Sequence, residues 1–248
     1  MFRPRSAPAN HSGGPAALLA LSCCCIAASG CGAARSSASD APSTPAAAAF
    51  ARAVNLNASD LPEMSQISAE ANAPSPGRSG AAFARCDGEA SPNLRVASVR
   101  SAEFSSGAAG HAQLVSSAVE VLPSPAVAAG NLAAFDSARG RACYVRFLEA
   151  SNRRRSGALR YGHSEISSLA NPLQGAAQSF VRRVTSTLSG TRTDGSRVSL
   201  RVYHDTYAFV QGASEVDLIA VGFSAPVPAA AEQRLLGLLY ARATVHSP

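Results

Sequence analysis

Hydrophobic and polar residues alternate over Leu114–Leu122, near the middle of the chain. A period of two is typical of a strand with one buried face. Three valines lie on that face: Val115, Val119 and Val121. The segment ends in Pro-Ser-Pro, where Ser124 suits the N-cap of a helix and Pro125 its first turn. The pattern therefore predicts a strand and then a helix that ends near Ser137.

A second helix is predicted directly after the first. Its apolar side chains recur at the spacing of helical turns and form one stripe: Cys143, Phe147 and Ala150. Because such a stripe faces the hydrophobic core, we expect Cys143 to be buried.

The C-terminal half has the pattern of an antiparallel meander. Four strands are predicted: Phe180–Leu188, Val198–Val202, Tyr207–Val210 and Val216–Phe223. Asp194-Gly195 indicates a hairpin turn between the first two, and the last strand is apolar on both faces, as expected of a central, covered strand. A final helix is predicted from Pro228 to about Ala243. We find no internal repeat, and the fold class predicted is a single α+β domain, a central antiparallel sheet with flanking helices.

All 22 basic residues of the 248-residue chain are arginine, and the formal net charge is +6. The absence of lysine excludes several classes of enzyme. A Walker A phosphate loop needs its lysine, and so do Schiff-base enzymes and the Ser-x-x-Lys penicillin-binding proteins.

The N-terminus has the three parts of a secretory signal. A basic segment precedes the apolar run Ala16–Ala28, which is shorter than the roughly 20 residues needed to span a bilayer. Ala28-Ser29-Gly30-Cys31 then resembles the bacterial lipobox, in which cleavage frees the cysteine for lipid attachment. The resemblance implies a lipoprotein held by Cys31 on the outer face of the bacterial cytoplasmic membrane. An ordinary signal peptide cut nearby and an uncleaved anchor are the alternatives.

These features divide the chain into three parts. Residues 1–30 form the signal peptide, 31–49 the lipidated cysteine with a tether rich in alanine, serine and proline, and 50–248 the globular domain.

Processing leaves only two cysteines that can pair, Cys86 and Cys143. Cys23, Cys24 and Cys25 leave with the signal, and Cys31 is consumed by the lipid. An even pair in an oxidising compartment predicts one disulfide, with free buried thiols as the alternative.

Three segments carry a resemblance to a known group: the strand and helix start from Val115 to Ala126, Arg141-Ala-Cys143, and Phe209–Phe223. Together they resemble the extracellular sensor domain of mycobacterial receptor Ser/Thr kinases and related actinobacterial lipoproteins. The resemblance implies an α/β sandwich around an antiparallel sheet, with a cleft on one side. It brings no catalytic residue, and it leaves the cleft's shape open because those domains carry two disulfides where this chain can form one.

No arrangement in the chain is typical of a catalytic or metal site, so neither a catalytic residue nor a cofactor is predicted. His204 and Asp205 are adjacent at a predicted strand end, where neighbouring side chains point to opposite faces and make a poor dyad. Two pairs of carboxylates are closely spaced: Asp60 with Glu63, which resembles a helix start, and Glu215 with Asp217, on a strand. Neither pair indicates glycoside hydrolysis.

Charge is the one uneven feature of the chain. Twelve arginines lie between Arg139 and Arg201, with only three acidic residues among them. The densest group, in a predicted loop, consists of Arg153, Arg154, Arg155 and Arg160. A solvated loop is one interpretation, and contact with anionic lipid or an acidic envelope polymer is the other. Nucleic acid is not an expected partner outside the cell.

The sequence thus predicts a lipid-anchored, non-catalytic binding or sensing module. Two other classes stay open: an envelope hydrolase whose site assembles from distant residues, and a structural adaptor of a membrane complex.

Overall fold

The structure is a computed structural model, and it describes residues 44–72, 95–107, 111–155, 160–191 and 195–246. Its helices are α1 (Thr44–Val54), α2 (Pro125–Asp136), α3 (Ala138–Arg155) and α4 (Ala229–Val245), with a 3-10 turn at Ala58–Asp60. Its strands are β1 (Ser65–Gln66), β2 (Ala71–Asn72), β3 (Ala97–Arg100), β4 (Phe104–Ser106), β5 (Gln113–Val121), β6 (Arg160–Ser168), β7 (Gln178–Thr191), β8 (Arg197–Gln211) and β9 (Ser214–Phe223).

The nine strands described form one antiparallel sheet, and seven of them follow the order β1-β4-β5-β9-β8-β7-β6. Strand β3 also pairs with β5, and β2 pairs with β3. The predicted class, a single α+β domain built on an antiparallel sheet, is confirmed. Strand β9 lies between β5 and β8, so its two apolar faces are explained by helices on both sides of the sheet.

Two hydrophobic clusters lie on opposite faces of the sheet. On the first, which we call the α1–α4 face, Phe50 of α1 and Leu239 of α4 share a cluster with Phe209. On the second, the α2–α3 face, Phe135 of α2 and Tyr144 of α3 share a cluster with Phe180 and its neighbours. Successive side chains of a strand therefore enter different cores.

Helix α1 begins at Thr44, inside the segment 31–49 that composition assigned to the tether. Four of its residues are buried: Ala47, Phe50, Ala51 and Val54. They follow the i, i+3, i+4, i+7 spacing of a helical stripe. Alanine contributes here because its small side chain lets the helix approach the sheet closely, which a search for large apolar residues does not detect.

Several local predictions are confirmed. Ser124 caps α2 by accepting a hydrogen bond from the backbone N–H of Val127, and Pro125 occupies the first turn. Helix α4 begins one residue after Pro228. Cys143 is 3% exposed and faces the core.

The predicted strands Val198–Val202 and Tyr207–Val210 are one continuous strand, β8, which pairs with β7 from Arg197 to Val210. The polar stretch between them suggested a break. In the structure these polar side chains are held by partners on other elements, so the strand is not interrupted.

Within the described ranges, no helix combines the length and apolar character needed to cross a bilayer.

Candidate functional site: an arginine–hydroxyl surface and buried polar networks

Of the three cysteines predicted to carry the lipid or the disulfide, the structure describes one, Cys143. Cys31 and Cys86 lie outside the described residues. Cys143 is disulfide-bonded, and its pairing with Cys86 stays a prediction, as does lipidation of Cys31.

The arginine group predicted to share a loop is divided between two elements. Arg153, Arg154 and Arg155 are the last residues of helix α3, not part of a loop. Arginine is a good helix former and its charge is favourable at a helix C-terminus, which explains the difference. Arg160 begins β6, where it is exposed and pairs in register with Ser189 of β7.

Arg160 belongs to an exposed part of the α1–α4 face that neither α1 nor α4 covers. We call this part the arginine–hydroxyl surface, and define it by six exposed residues: Arg160, Thr187, Ser189, Arg197, Ser199 and Arg201. The register of the strands puts them together, since Thr187 pairs with Arg201, and Ser189 pairs with both Ser199 and Arg160. Directly paired residues project from the same side of a sheet.

Two open depressions follow this surface along β7 and β8. One, of about 350 Å³, is lined by Thr187, Arg201 and Tyr203 among others. The other, of about 420 Å³, lies nearer the β7–β8 turn, beside Ser189 and Arg197. Within the part of the chain that the structure describes, Arg160, Arg197 and Arg201 form no ion pair.

A buried acidic network lies at the covered end of the same face. Asp205 is 1% exposed and binds the guanidinium of Arg183 through two hydrogen bonds of 2.7 and 2.6 Å. Tyr207 donates a 2.6 Å hydrogen bond to Glu232 of α4. Burial raises the pKa of Glu232 to about 7, and the neighbouring Asp205 adds to the rise. Arg183 also lies 5.5 Å from the ring centroid of Tyr203, which lines the first depression.

His204, next to Asp205, faces the opposite side of the sheet, as predicted. It lies within β8 and not at a strand end. Its Nδ1 is 3.1 Å from the hydroxyl of Tyr144, which is also 3.0 Å from the hydroxyl of Thr206. Burial lowers the pKa of His204 to about 4, so the imidazole is neutral at physiological pH. Burial also raises the pKa of Tyr144 to about 12.

Arg182 lies in the same layer and is 2% exposed. Its Nη2 donates a 2.9 Å hydrogen bond to the carbonyl of Phe135, near the end of α2. The guanidinium also lies 4.5 Å from the ring of Phe135 and 4.7 Å from that of Phe180. Burial lowers the pKa of Arg182, and its Nε and Nη1 have no hydrogen-bond partner among the described residues. The arginine therefore joins α2 to β7.

The two closely spaced carboxylate pairs have different surroundings. Asp60 forms hydrogen bonds of 2.7 and 2.8 Å with the guanidinium of Arg242. It belongs to the capping box of the 3-10 turn Ala58–Asp60 and is the last residue of that turn, so the helix start predicted at Asp60 and Glu63 is wrong. The second pair, Glu215 with Asp217, lies on the α2–α3 face, where Glu215 pairs in register with Glu120. Burial raises the pKa of Asp217 to about 7, and the charge of Glu120 adds to this. Arg95 binds Glu120 at 2.5 Å.

Among the residues placed by the structure, no group of three or more histidine, cysteine, aspartate or glutamate side chains could hold a metal ion.

The arginine–hydroxyl surface was not identified from the sequence, although a signal for it exists. Polar residues at every second position after Arg197 already indicated which side of the strand faces solvent. Only the register with β6 and β7 adds the hydroxyl groups and Arg160 to the same side.

No protein-family model matches the chain, and no curated protein does. Among solved structures, the chain is similar to the extracellular domain of PknH from Mycobacterium tuberculosis, with 12% identity and a TM-score of 0.39, over 80% of this chain and 97% of that one. A second likeness, to the di-domain ARO/CYC BexL from the BE-7585A biosynthetic pathway, has 11% identity and a TM-score of 0.09 over 64% of this chain and 79% of that one. Scores this low do not establish a common fold.

Proposed function

We propose that the chain is an extracytoplasmic, lipid-anchored and non-catalytic binding module that recognises anionic groups. The arginine–hydroxyl surface is the observation that carries this proposal. It presents guanidinium and hydroxyl donors to solvent, and these are the groups that bind phosphate and carboxylate oxygens.

The acidic and basic side chains with perturbed surroundings bind other side chains of the fold, whereas the donors of the arginine–hydroxyl surface face solvent. His204 is neutral and bound to Tyr144, and Asp205 is held by Arg183. Glu232, in the first turn of α4, is 1% exposed. A general acid or base must reach the substrate proton within hydrogen-bond distance. These groups are placed to hold the strands and helices together, which favours binding over an envelope hydrolase.

The proposal includes lipid on Cys31 and a location on the outer face of the bacterial cytoplasmic membrane. The proposal keeps the predicted tether, residues 31–49, as the connection between the lipid and the domain; its residues 31–43 lie outside the described residues.

The anchoring is tested by mass spectrometry of the membrane fraction, which should show an acylated N-terminus at Cys31. The Cys31→Ala variant should leave the acylated fraction, because it lacks the cysteine to which the lipid is attached. A variant that stays membrane-bound at normal size would contradict the anchor.

The binding is tested by salt-dependent retention of the processed protein on a phosphate-bearing resin. A variant with Arg160, Arg197 and Arg201 changed to Gln should elute at lower salt than the wild type, since the attraction is electrostatic and screened over about 8 Å at physiological ionic strength. The matched control changes Arg52, Arg139 and Arg146 to Gln, which removes the same charge elsewhere. Equal elution of the two variants would show an effect of net charge alone.

The run Arg153–Arg155 keeps its own proposal of contact with an anionic surface. A variant with all three changed to Gln should weaken retention if the end of α3 contributes. Retention equal to that of the wild type would leave the sheet surface as the contact.

A further inference from the structure

The cations of the arginine–hydroxyl surface are spaced regularly along the strands. Arg197, Ser199 and Arg201 occupy alternate positions of β8 and so share one face. At about 3.4 Å per residue, the Cα atoms of Arg197 and Arg201 are about 13 Å apart.

Arg160 lies on β6, on the other side of β7, and adds a third cation to the row. It pairs with Ser189, which pairs with Ser199 of β8, so it lies at the level midway between Arg197 and Arg201. One cation therefore follows another every 7 Å or so along the strand axis, alternating between β8 and β6.

Hydroxyl groups fill the row between the cations. Thr187 and Ser189 belong to β7, the strand between the two that carry arginine. Neighbouring strands are about 4.8 Å apart, so a chain lying along β7 has hydroxyl donors beneath it and guanidinium groups on both sides. The two depressions run in the same direction, one after the other.

The surface is not suited to insertion into a membrane. The exposed large hydrophobic residues of the described chain are Ile67, Ile166 and Val245, and none belongs to the arginine–hydroxyl surface. Ile166 pairs with Val184 on the α2–α3 face. Binding at a lipid interface usually buries aromatic or aliphatic side chains.

We infer that this surface binds a linear, phosphate-bearing polymer of the cell envelope, laid along β7 with successive phosphates at Arg201, Arg160 and Arg197. The inference rests on the proposed function and narrows it to one class of ligand. Glu165, exposed on the same face of β6 and level with Thr185, ends the cationic track. Hydroxyl and guanidinium groups together favour phosphate, because the planar guanidinium fork matches two of its oxygens.

The test uses the full-length, processed protein in a non-ionic detergent, with glycerol phosphate monomer, trimer and hexamer as probes. The hexamer should bind at least about tenfold more tightly than the monomer, since once one phosphate is bound the others are held at high effective concentration. The trimer should approach the hexamer, because three arginines form the track. Arg160→Gln with Arg197→Gln and Arg201→Gln should reduce hexamer affinity about tenfold or more and abolish its advantage over the monomer.

Three controls separate the outcomes. The variant with Arg52, Arg139 and Arg146 changed to Gln should bind the hexamer within about twofold of wild type, as these charges lie off the track. Arg201→Gln alone, with circular dichroism of each variant, guards against loss of fold. Phosphatidylglycerol added to the micelles carries the same headgroup chemistry and should not displace the hexamer.

A hexamer no tighter than the monomer, or displaced by phosphatidylglycerol, would overturn the polymer inference while leaving anion binding intact. Absence of binding to every anionic probe would overturn both the inference and the proposed function.

Discussion

Tyr207 of β8 donates a 2.6 Å hydrogen bond to Glu232 in the first turn of α4. This contact joins the last helix to the centre of the sheet. A carboxylate near a helix N-terminus is favoured by the helix dipole, yet burial dominates here and raises the pKa of Glu232 to about 7. The folded state therefore favours the protonated form of Glu232.

The first prediction concerns the pH dependence of stability. A carboxyl whose pKa is raised by folding stabilises the protein below its ordinary pKa and loses that contribution as pH rises through the raised value. Folding raises the pKa of Glu232 from its ordinary value of 4.5 to about 7. Ionisation of Glu232 should therefore lower the free energy of unfolding by roughly 1 kcal/mol between pH 6 and pH 8. Glu232→Gln should reduce this slope in urea titrations at several pH values.

Asp217 contributes a slope of the same sign, since burial raises its pKa to about 7 as well. Asp217→Asn should therefore reduce the remaining slope on the other face of the sheet. The matched control is Glu63→Gln, at an exposed position. A slope that is unchanged in both buried variants would contradict the interpretation.

The second prediction concerns Arg242 and Asp60. Arg242 binds the Asp60 carboxylate through both Nη atoms, and Nη1 also donates to the carbonyl of Asn55 at 2.8 Å. Because Asp60 is 8% exposed, Arg242→Met would leave a buried, unpaired carboxylate. Its free energy of unfolding should fall by about 3 kcal/mol.

The exposed ion pair of Arg52 with Glu70 provides the control for this loss. Arg52→Met should cost less than about 1 kcal/mol, because solvent screens an exposed pair. Equal losses in the two variants would show that the Asp60–Arg242 pair is as weak as a surface contact.

The third prediction concerns Arg182, whose guanidinium lies among aromatic rings and whose Nε and Nη1 have no hydrogen-bond partner among the residues that the structure describes. Arg182→Met keeps most of the side-chain volume and removes the buried charge together with its 3.4 Å ion pair to Asp136. Because the Asp136 side chain is 48% exposed and stays hydrated, the stability should remain within about 1 kcal/mol of wild type. Arg182→Ala leaves a cavity and should lose about 3 kcal/mol. A Met variant as unstable as the Ala variant would mean that the guanidinium bonds to α2, and not its volume, hold this layer.

The fourth prediction concerns the disulfide. Peptide mapping without reductant should recover Cys143 linked to Cys86. Closing a loop of about 58 residues should stabilise the fold by roughly 4 kcal/mol in the chain-entropy model, so reduction should lower the midpoint of thermal unfolding. Recovery of Cys86 as a free thiol would remove this pairing.

Features that depend on near neighbours in the chain were predicted well. The alternation of β5, the Ser124 cap with Pro125 after it, and the burial of Cys143 follow from spacing over a few residues. Each is decided by interactions within one element or one turn, which the order of residues displays directly.

Features that depend on distant partners were missed. The stretch from Tyr203 to Thr206 suggested a break in β8, and only Arg183 and Tyr144 from other elements explain why it stays in the strand. Likewise the run Arg153–Arg155 was assigned to a loop, although it ends a helix.

The order of residues thus determined the fold class, the central position of β9 and which side of β8 faces solvent over Arg197–Arg201. Tertiary structure alone decided which side chains share a surface. Arg160 and Arg201 are 41 positions apart in the sequence, yet the pairing of β6, β7 and β8 puts both beside the same hydroxyl row. Strand register is fixed by long-range hydrogen bonding and by burial of the opposite face, and neither can be derived from the local pattern of residues.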